Sequence, residues 1–323
     1  MDNLTHSLVG AVIGQAGLKR KTGLAMPALI IGANLPDVDA ACFLWLEGAE
    51  HLGFRRGITH GPIAWVLLPL VLAGLLYGWD RWQARRGKRP EGRLPVHFGW
   101  LYALSFIGCL THPVLDWLNV YGIRLLEPFS SRWFYGDVLF IIDVWLWAIL
   151  GIGLWLSLRR EKHGGDWRKA GQVAMAAAVA YIGTNAIITW HAENVRGANF
   201  DQAIASPVPL AFWERELIIP NSGVLDERPP LILSQTIIDG VLGSTEQPPA
   251  FDASQCGTAS VPASDSEVSA FLFWSRVPFL ECDESGRIVV RDARYYHPSA
   301  RGRFSVLLAK SQSERLIPTD PSS

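Results

Sequence analysis

The sequence predicts a mainly α-helical, polytopic membrane bundle of about five or six apolar helices, followed by a C-terminal β-rich extracytoplasmic domain. Three observations carry that expectation: apolar runs long enough to cross a bilayer, basic residues confined to alternate loops, and a change of composition after His191. The 323 residues are 49% hydrophobic and only 18% charged, with a mean hydropathy of +0.18, which fits a single soluble globule poorly.

A hydrocarbon core of about 30 Å takes roughly 20 apolar residues in helical form, because every backbone polar group must be satisfied within the segment. Residues 61–79 and 170–190 carry no charge, 94–115 carry only His97 and His112, and 138–158 carry only Asp143. These are the four strong crossings. Residues 24–46 are long enough but contain Asp37 and Asp39, and 4–18 are short for a full crossing.

The charged loops set the orientation, since Lys and Arg accumulate on the cytoplasmic side. Residues 1–190 hold 18 Lys+Arg and 13 Asp+Glu; of those 18, the loops 19–21, 81–93 and 159–169 hold three, six and five. With these loops inside, Met1, residues 47–60, residues 114–137 and everything after Trp190 lie outside. Trp45, Trp79, Trp82, Trp133 and Trp190 flank apolar segments, as interfacial anchors do. Met1-Asp2-Asn3 lacks the basic start of a cleaved signal peptide, so this segment is expected to be retained. With no basic arm or dense Lys/Arg block outside short loops, nucleic-acid binding has little electrostatic support and is set aside.

The domains divide at 190/191. The tail, 191–323, is polar and contains β-type runs at 217–219, 231–233, 270–274, 288–290 and 304–308, a hairpin turn at 283–286 before the fourth, and a looser Ser/Pro/Asp-containing stretch near 243–269. No internal repeat is visible. Cys42 and Cys109 sit in apolar stretches and read as core thiols, whereas Cys256 and Cys282 both lie in the tail and are able to bridge in an oxidising compartment.

Ionisable residues in apolar segments are costly, so each is a candidate functional group. Here they are His6, Asp37, Asp39, His60, His112, Asp116, Asp137 and Asp143, and the loop assignment brings His6, His60, His112 and Asp116 to the outer side. His112 and Asp116 are four apart, which on a helix puts both on one surface, as a chelating pair requires. Asp37 and Asp39 point in different directions on a regular helix, and Pro36 is expected to break the segment there. One of the two then ligates metal while the other orients a ligand histidine.

Three imidazoles with three carboxylates suit Zn²⁺, with Mn²⁺ or Fe²⁺ as alternatives, far better than Ca²⁺, and six ligands serve one or two ions. Arg56 and Arg124 lie close in sequence to these ligands and are placed to hold a phosphate or carboxylate of a substrate. Blander readings stand beside these. A lone membrane histidine such as His6 is often a helix–helix hydrogen-bonding group. The His112/Asp116 pair reads alternatively as a structural hydrogen bond, Asp37/Asp39 as a polar helix break, Asp137 as an N-cap, and Asp143 as a partner of Arg124 or Arg132. His97 adjoins a basic loop, His191 is a reserve ligand, and His51, His163 and His297 read as loop residues.

At these residues the chain resembles the YdjM-like family of bacterial inner-membrane proteins described as membrane-bound metal-dependent hydrolases. The matching pieces are Met1-Asp2-Asn3-Leu4-Thr5-His6, Leu35-Pro36-Asp37-Val38-Asp39, Arg56-Gly57-Ile58-Thr59-His60, and the run from Thr111-His112-Pro113 through Asp116, Tyr121-Gly122, Arg124 and Pro128-Phe129 to Asp143. The resemblance covers about residues 1–145. Where the family pattern places a histidine before Arg-Gly-x-Thr-His and a serine after it, this chain has Arg55 and Gly61, and no ligand role passes to Arg55. The order of the ligands is also similar, more faintly, to zinc-dependent phospholipases C, which points to phosphoesters.

The resemblance implies an inner-membrane, metal-dependent hydrolase that attacks a phosphoester or lipid-linked substrate at the periplasmic face. Its metal ligands would be His6, Asp37, Asp39, His60, His112 and Asp116, with Asp39, Arg56 and Arg124 as catalytic residues. Its partners would be the bilayer and a small-molecule or lipid substrate. The competing expectation is a transporter or a structural metal-binding protein without turnover. Transporters place ligands near the midplane between repeats, whereas these ligands gather toward one side.

Overall fold

Asp2 opens the first helix: its Oδ1 accepts the amide hydrogens of Leu4 and Thr5 at 3.0 and 3.1 Å, two of the donors a helix start leaves without intrahelical partners. The computed structural model describes residues 1–194, 203–220, 229–236, 242–244, 247–252, 256 and 262–316. They form two units, Met1–Ala40 with Arg56–Thr184, and Ala41–Arg55 with Asn185–Ser323.

In the first unit α1 (Asn3–Gln15) is followed by α2 (Ala25–Asn34), which passes at Leu35 into a 3-10 segment, Leu35–Leu44. Pro36 has no amide hydrogen to continue the α-helical ladder, so the change of winding falls where the sequence expects a break. After α3 (Glu50–Phe54), which groups with the second unit, come α4 (Pro62–Arg85), α5 (Phe98–Trp117), α6 (Val144–Lys162) and α7 (Trp167–Asn194).

Among the described residues four helical stretches are long and apolar enough to cross a membrane: Ala25–Leu44, Pro62–Arg85, Phe98–Trp117 and Trp167–Asn194. The 24–46 stretch, expected as a weaker crossing, is included. The 138–158 stretch is not, because its helix starts only at Val144 and ends in Arg159, Arg160, Glu161 and Lys162. Asp143, rather than Asp137, is the cap that sets this start; it accepts the Leu146 amide hydrogen at 2.9 Å and the Tyr181 hydroxyl at 2.8 Å.

Polar contacts fix the helix directions. Trp147 donates to Thr5 Oγ1 (2.9 Å) at one end of α1 and α6, and Ser157 donates to Gln15 Oε1 (3.1 Å) at the other, so these helices run parallel. So do α2 and α5, tied by the Gly23 amide to Pro95 O (3.0 Å) near their starts and by His112 Nδ1 to Ala33 O (2.7 Å) near their ends. Lys19 pairs with Glu161, and Arg93 lies beside Gly23, so the three basic loops gather at one end and His6, Asp37, His60, His112 and Asp116 at the opposite end. The α4 residues Val66, Leu67, Leu70, Val71, Leu75 and Trp79 stay exposed, as a lipid-facing stripe does.

The interface between α2 and α5 depends on glycine. A Cβ on Gly108 would lie 2.5 Å from Leu29 O and 3.0 Å from the Ala33 nitrogen; one on Gly32 would lie 2.7 Å from Ser105 O. Small residues let the backbones approach this closely. Gly108→Ala is therefore expected to wedge the helices apart, cost about 1–3 kcal/mol and disturb the Ala33 carbonyl that holds His112. Thermal unfolding in detergent checks it, and a midpoint equal to that of the parent protein would refute the close-contact account.

In the second unit one antiparallel sheet has the order β1-β2-β3-β4 (Ile204–Val208, Ala211–Ile219, Leu231–Thr236, Leu242–Ser244) and another the order β5-β6-β7 (Pro278–Cys282, Ile288–Asp292, Ser305–Leu307). Ile204, Ile218 and Ile232 of the first pack with Val277, Phe279, Ala293 and Tyr296 around the second. The hairpin at 283–286 forms: Gly286 takes φ +73° and the Asp283 amide donates to Arg287 O at 2.9 Å.

The run 270–274, read as a strand, instead ends a helix, α8 (Asp265–Trp274). Ser264 and Glu267 cap it reciprocally, and Val268, Phe271 and Trp274 bury one face at helical spacing. Five residues are too few to show that period. Helix α9 (Lys310–Leu316) follows β7. Cys256 and Cys282 are disulfide-bonded, with Cα atoms 5.8 Å apart, and Cys42 and Cys109 are buried and take no part in that bridge. Of the looser 243–269 stretch, residues 245–246, 253–255 and 257–261 lie outside the described residues.

Candidate metal centre

Four local structures deliver the polar side chains. His6 sits near the start of α1, Asp37 and Asp39 on the 3-10 segment, His60 at the end of a short 3-10 turn, Ile58–His60, and His112 and Asp116 one turn apart near the end of α5. His6, His60, His112 and Asp116 are fully buried. Pro113 follows His112 within α5, and Pro62 starts α4 two residues after His60.

Three donors converge. His60 Nε2 lies 3.2 Å from His112 Nε2 and 3.6 Å from Asp116 Oδ2, and His112 Nε2 lies 3.5 Å from Asp116 Oδ2. A tetrahedral ion with bonds of about 2.0–2.2 Å separates its ligands by about 3.3–3.6 Å. The triangle therefore has the size of one face of a zinc coordination shell. A second group joins His112 to His6 and Asp37, with the donor atoms within 4.8 Å of one another and Asp37 Oδ1 3.8 Å from His112 Nε2.

The His6 ring stacks on the His112 ring, with centroids 3.8 Å apart and planes 15° apart. Among the described residues neither of its nitrogens has a hydrogen-bond partner, and its Nε2 lies 3.5 Å from Asp116 Oδ1. A buried imidazole left in this state fits a cation-binding role, because burying an unsatisfied polar group is otherwise costly.

Positioning contacts surround the donors. The Ala33 carbonyl only accepts, so His112 carries its proton on Nδ1 and presents a lone pair at Nε2. Asp39 lies behind His60: its Oδ2 accepts the Arg56 amide hydrogen at 2.8 Å, lies within hydrogen-bond reach of Thr59 Oγ1 at 3.1 Å, and stands 3.5 Å from His60 Nδ1. Asp39 belongs to neither group of converging donors. Burial holds the His60 imidazole below its ordinary pKa range, favouring the neutral form that a metal needs.

Both guanidinium groups that the sequence offers to a substrate anion engage the protein. Arg56, at φ +56°, places Nε 3.0 Å from Asp116 Oδ2, donates to Asn119 Oδ1 (3.2 Å) and Gly122 O (3.0 Å), and lies over the Tyr121 ring. Arg124 donates to Glu127 Oε1 at 3.0 Å and faces the Trp133 ring. The Met1 ammonium also ion-pairs with Asp116. Gly61 is constrained too, since a Cβ there would collide with the Glu127 carbonyl.

Sequence reasoning did not single out Thr59, Asn119 or the Ala33 carbonyl. Thr59 stood inside the Arg56–His60 motif and Asn119 three residues after Asp116, but adjacency in sequence does not reveal which hydrogen bonds they make.

A family model described as YdjM inner membrane protein matches residues 1–192. Nothing among the curated proteins or the solved structures matches the chain.

Proposed function

Because the chain belongs to the YdjM inner membrane protein family, we propose that it is a membrane-embedded hydrolase whose metal centre opens toward the periplasmic face and acts on a phosphoester or lipid-linked substrate. The observation that carries this reading is the His60–His112–Asp116 triangle, with edges of 3.2, 3.5 and 3.6 Å. The donor set, two imidazoles and a carboxylate with Asp37 and His6 beside them, suits zinc, with manganese or iron as alternatives.

The centre holds one ion rather than two. His112 enters both donor groups, its Nδ1 is committed to Ala33 O, and its single remaining lone pair serves one cation. His60, His112 and Asp116 would hold it, with Asp37 and His6 beside them as further donors. Bound there, the ion supplies Lewis acidity and lowers the pKa of water toward about 7. Arg56 holds Asp116 in place, and Arg124 pairs with Glu127 beside it. Asp39 acts on His60 from behind.

The periplasmic assignment rests on two supports: the basic loops share the end of the first unit opposite the donors, and the Cys256–Cys282 bridge suits an oxidising compartment. In this reading the second unit is periplasmic.

Metal analysis of detergent-purified protein, combined with assays on bis(p-nitrophenyl) phosphate, phospholipids and lipid-linked diphosphates, tests the proposal. About one ion per chain and hydrolysis that a chelator abolishes and metal restores are expected. One ion without turnover on any substrate would remove the hydrolase and leave a transport or structural role. Protein that takes up no ion would remove the centre itself.

A further inference from the structure

The two histidines of the triangle are held differently, and the difference gives Thr59 a role. His112 is locked by a carbonyl, which only accepts, so its proton stays on Nδ1. His60 is held by a hydroxyl: Thr59 Oγ1 lies 2.9 Å from its Nδ1, and a hydroxyl both donates and accepts.

With no cation between them, two lone pairs 3.2 Å apart repel. Neutral His60 then carries its proton on Nε2 and donates to His112 Nε2. Its Nδ1 is the acceptor, and the Thr59 hydroxyl satisfies it by donating. For His60 to ligate a metal, its Nε2 proton must pass to water and water must return one to Nδ1, so that no net proton is gained or lost. That Nδ1–H then needs an acceptor, and Thr59 Oγ1 serves if its own hydrogen turns to Asp39 Oδ2, 3.1 Å away. Asp39 Oδ2 is fixed for this purpose by the Arg56 amide at 2.8 Å. The ring stays neutral in both states, with one proton on it before and after.

We propose that Thr59 is a positioning residue, a hydroxyl switch that lets His60 exchange tautomers when the centre is loaded, with Asp39 as the acceptor in the loaded state. The proposal rests on the metal centre argued above. Carboxylates and carbonyls behind a ligand histidine enforce one tautomer, whereas the Thr59 hydroxyl serves both at no cost in hydrogen bonds.

The test compares the full-length wild type with Thr59→Ser and Thr59→Val in detergent. Zinc affinity is read by chelator competition, and the His60 tautomer by ¹⁵N chemical shifts of histidine-labelled protein before and after zinc. Thr59→Val is expected to bind zinc about 10–100-fold more weakly at unchanged stoichiometry, and Thr59→Ser to bind as the wild type does. In the wild type and the serine variant, His60 is expected to move its proton from Nε2 to Nδ1 on loading. Equal affinity in the valine and serine variants overturns the proposal. So does a His60 that keeps one tautomer throughout, a result readable in the wild type even if the valine variant fails to fold. Wild-type protein that takes up no zinc fells the metal-centre reading and the switch with it, which distinguishes that failure from failure of the switch alone.

Discussion

His112→Ala and Asp116→Ala are both expected to abolish stoichiometric metal binding, but only Asp116→Ala is expected to destabilise the helical unit severely. Each removes one corner of the donor triangle and so breaks the set of lone pairs spaced as a zinc ion needs, leaving Asp37 and His6 beside an incomplete face. The consequences for the fold differ because Asp116 has a second task. Buried and without solvent access, it faces the Arg56 guanidinium at 3.0 Å and pairs with the Met1 ammonium. Removing one partner of a buried ion pair costs about 3–5 kcal/mol, since the other charge is left uncompensated. His112→Ala loses its bond to Ala33 O and the stacking with His6, and strands no charge. Thermal unfolding of the metal-free variants should therefore place Asp116→Ala well below His112→Ala. His6→Ala, which removes a ring aimed beside the triangle, should weaken metal binding without abolishing it. Equal melting of the first two variants would contradict the charge argument, and complete metal loss in His6→Ala would contradict the ranking of donors.

Breaking the Cys256–Cys282 bridge is expected to destabilise the second unit by about 3.5 kcal/mol through the loop-closure entropy that the cross-link removes from the unfolded chain. The bridge closes a loop of sequence separation 26 and ties the end of β5 to the segment before α8. Protease resistance and hydrogen exchange of this unit, compared between the wild type and Cys256→Ser/Cys282→Ser, read the loss. The same cysteines report on compartment. In protein taken from cells without reductant, alkylating reagents should spare both of them. Prompt labelling of both would count against the bridge and against the periplasmic assignment of the tail.

The legible parts of this protein are those with a short-range physical cause. Hydropathy marked the apolar stretches, and the i, i+4 spacing put His112 and Asp116 on one helix face, where they lie 3.5 Å apart. Pro36 signalled the change of winding that sends Asp37 toward His112 and Asp39 toward Thr59 and Arg56. The misreadings also have local causes. A five-residue apolar run cannot reveal a helical period, so α8 read as a strand, and Asp143 looked like part of a span because its role as a cap depends on where the Leu146 amide points.

Taken by itself, the sequence determined which segments suit the membrane, which loops share a side, and which residue types are available as ligands, because hydropathy, charge and helical period are properties of neighbouring residues. The tertiary structure alone decided which lone pairs meet. His60 and His112 come from segments 52 residues apart, and the His112 ring is aimed by the Ala33 carbonyl, which the close approach of α2 and α5 at Gly32 and Gly108 brings onto it. It also decided that Arg56 clamps Asp116, that Asp39 stands behind His60, and that two donor groups share one nitrogen. Those facts depend on ångström-scale packing between distant helices, which no spacing along the chain encodes.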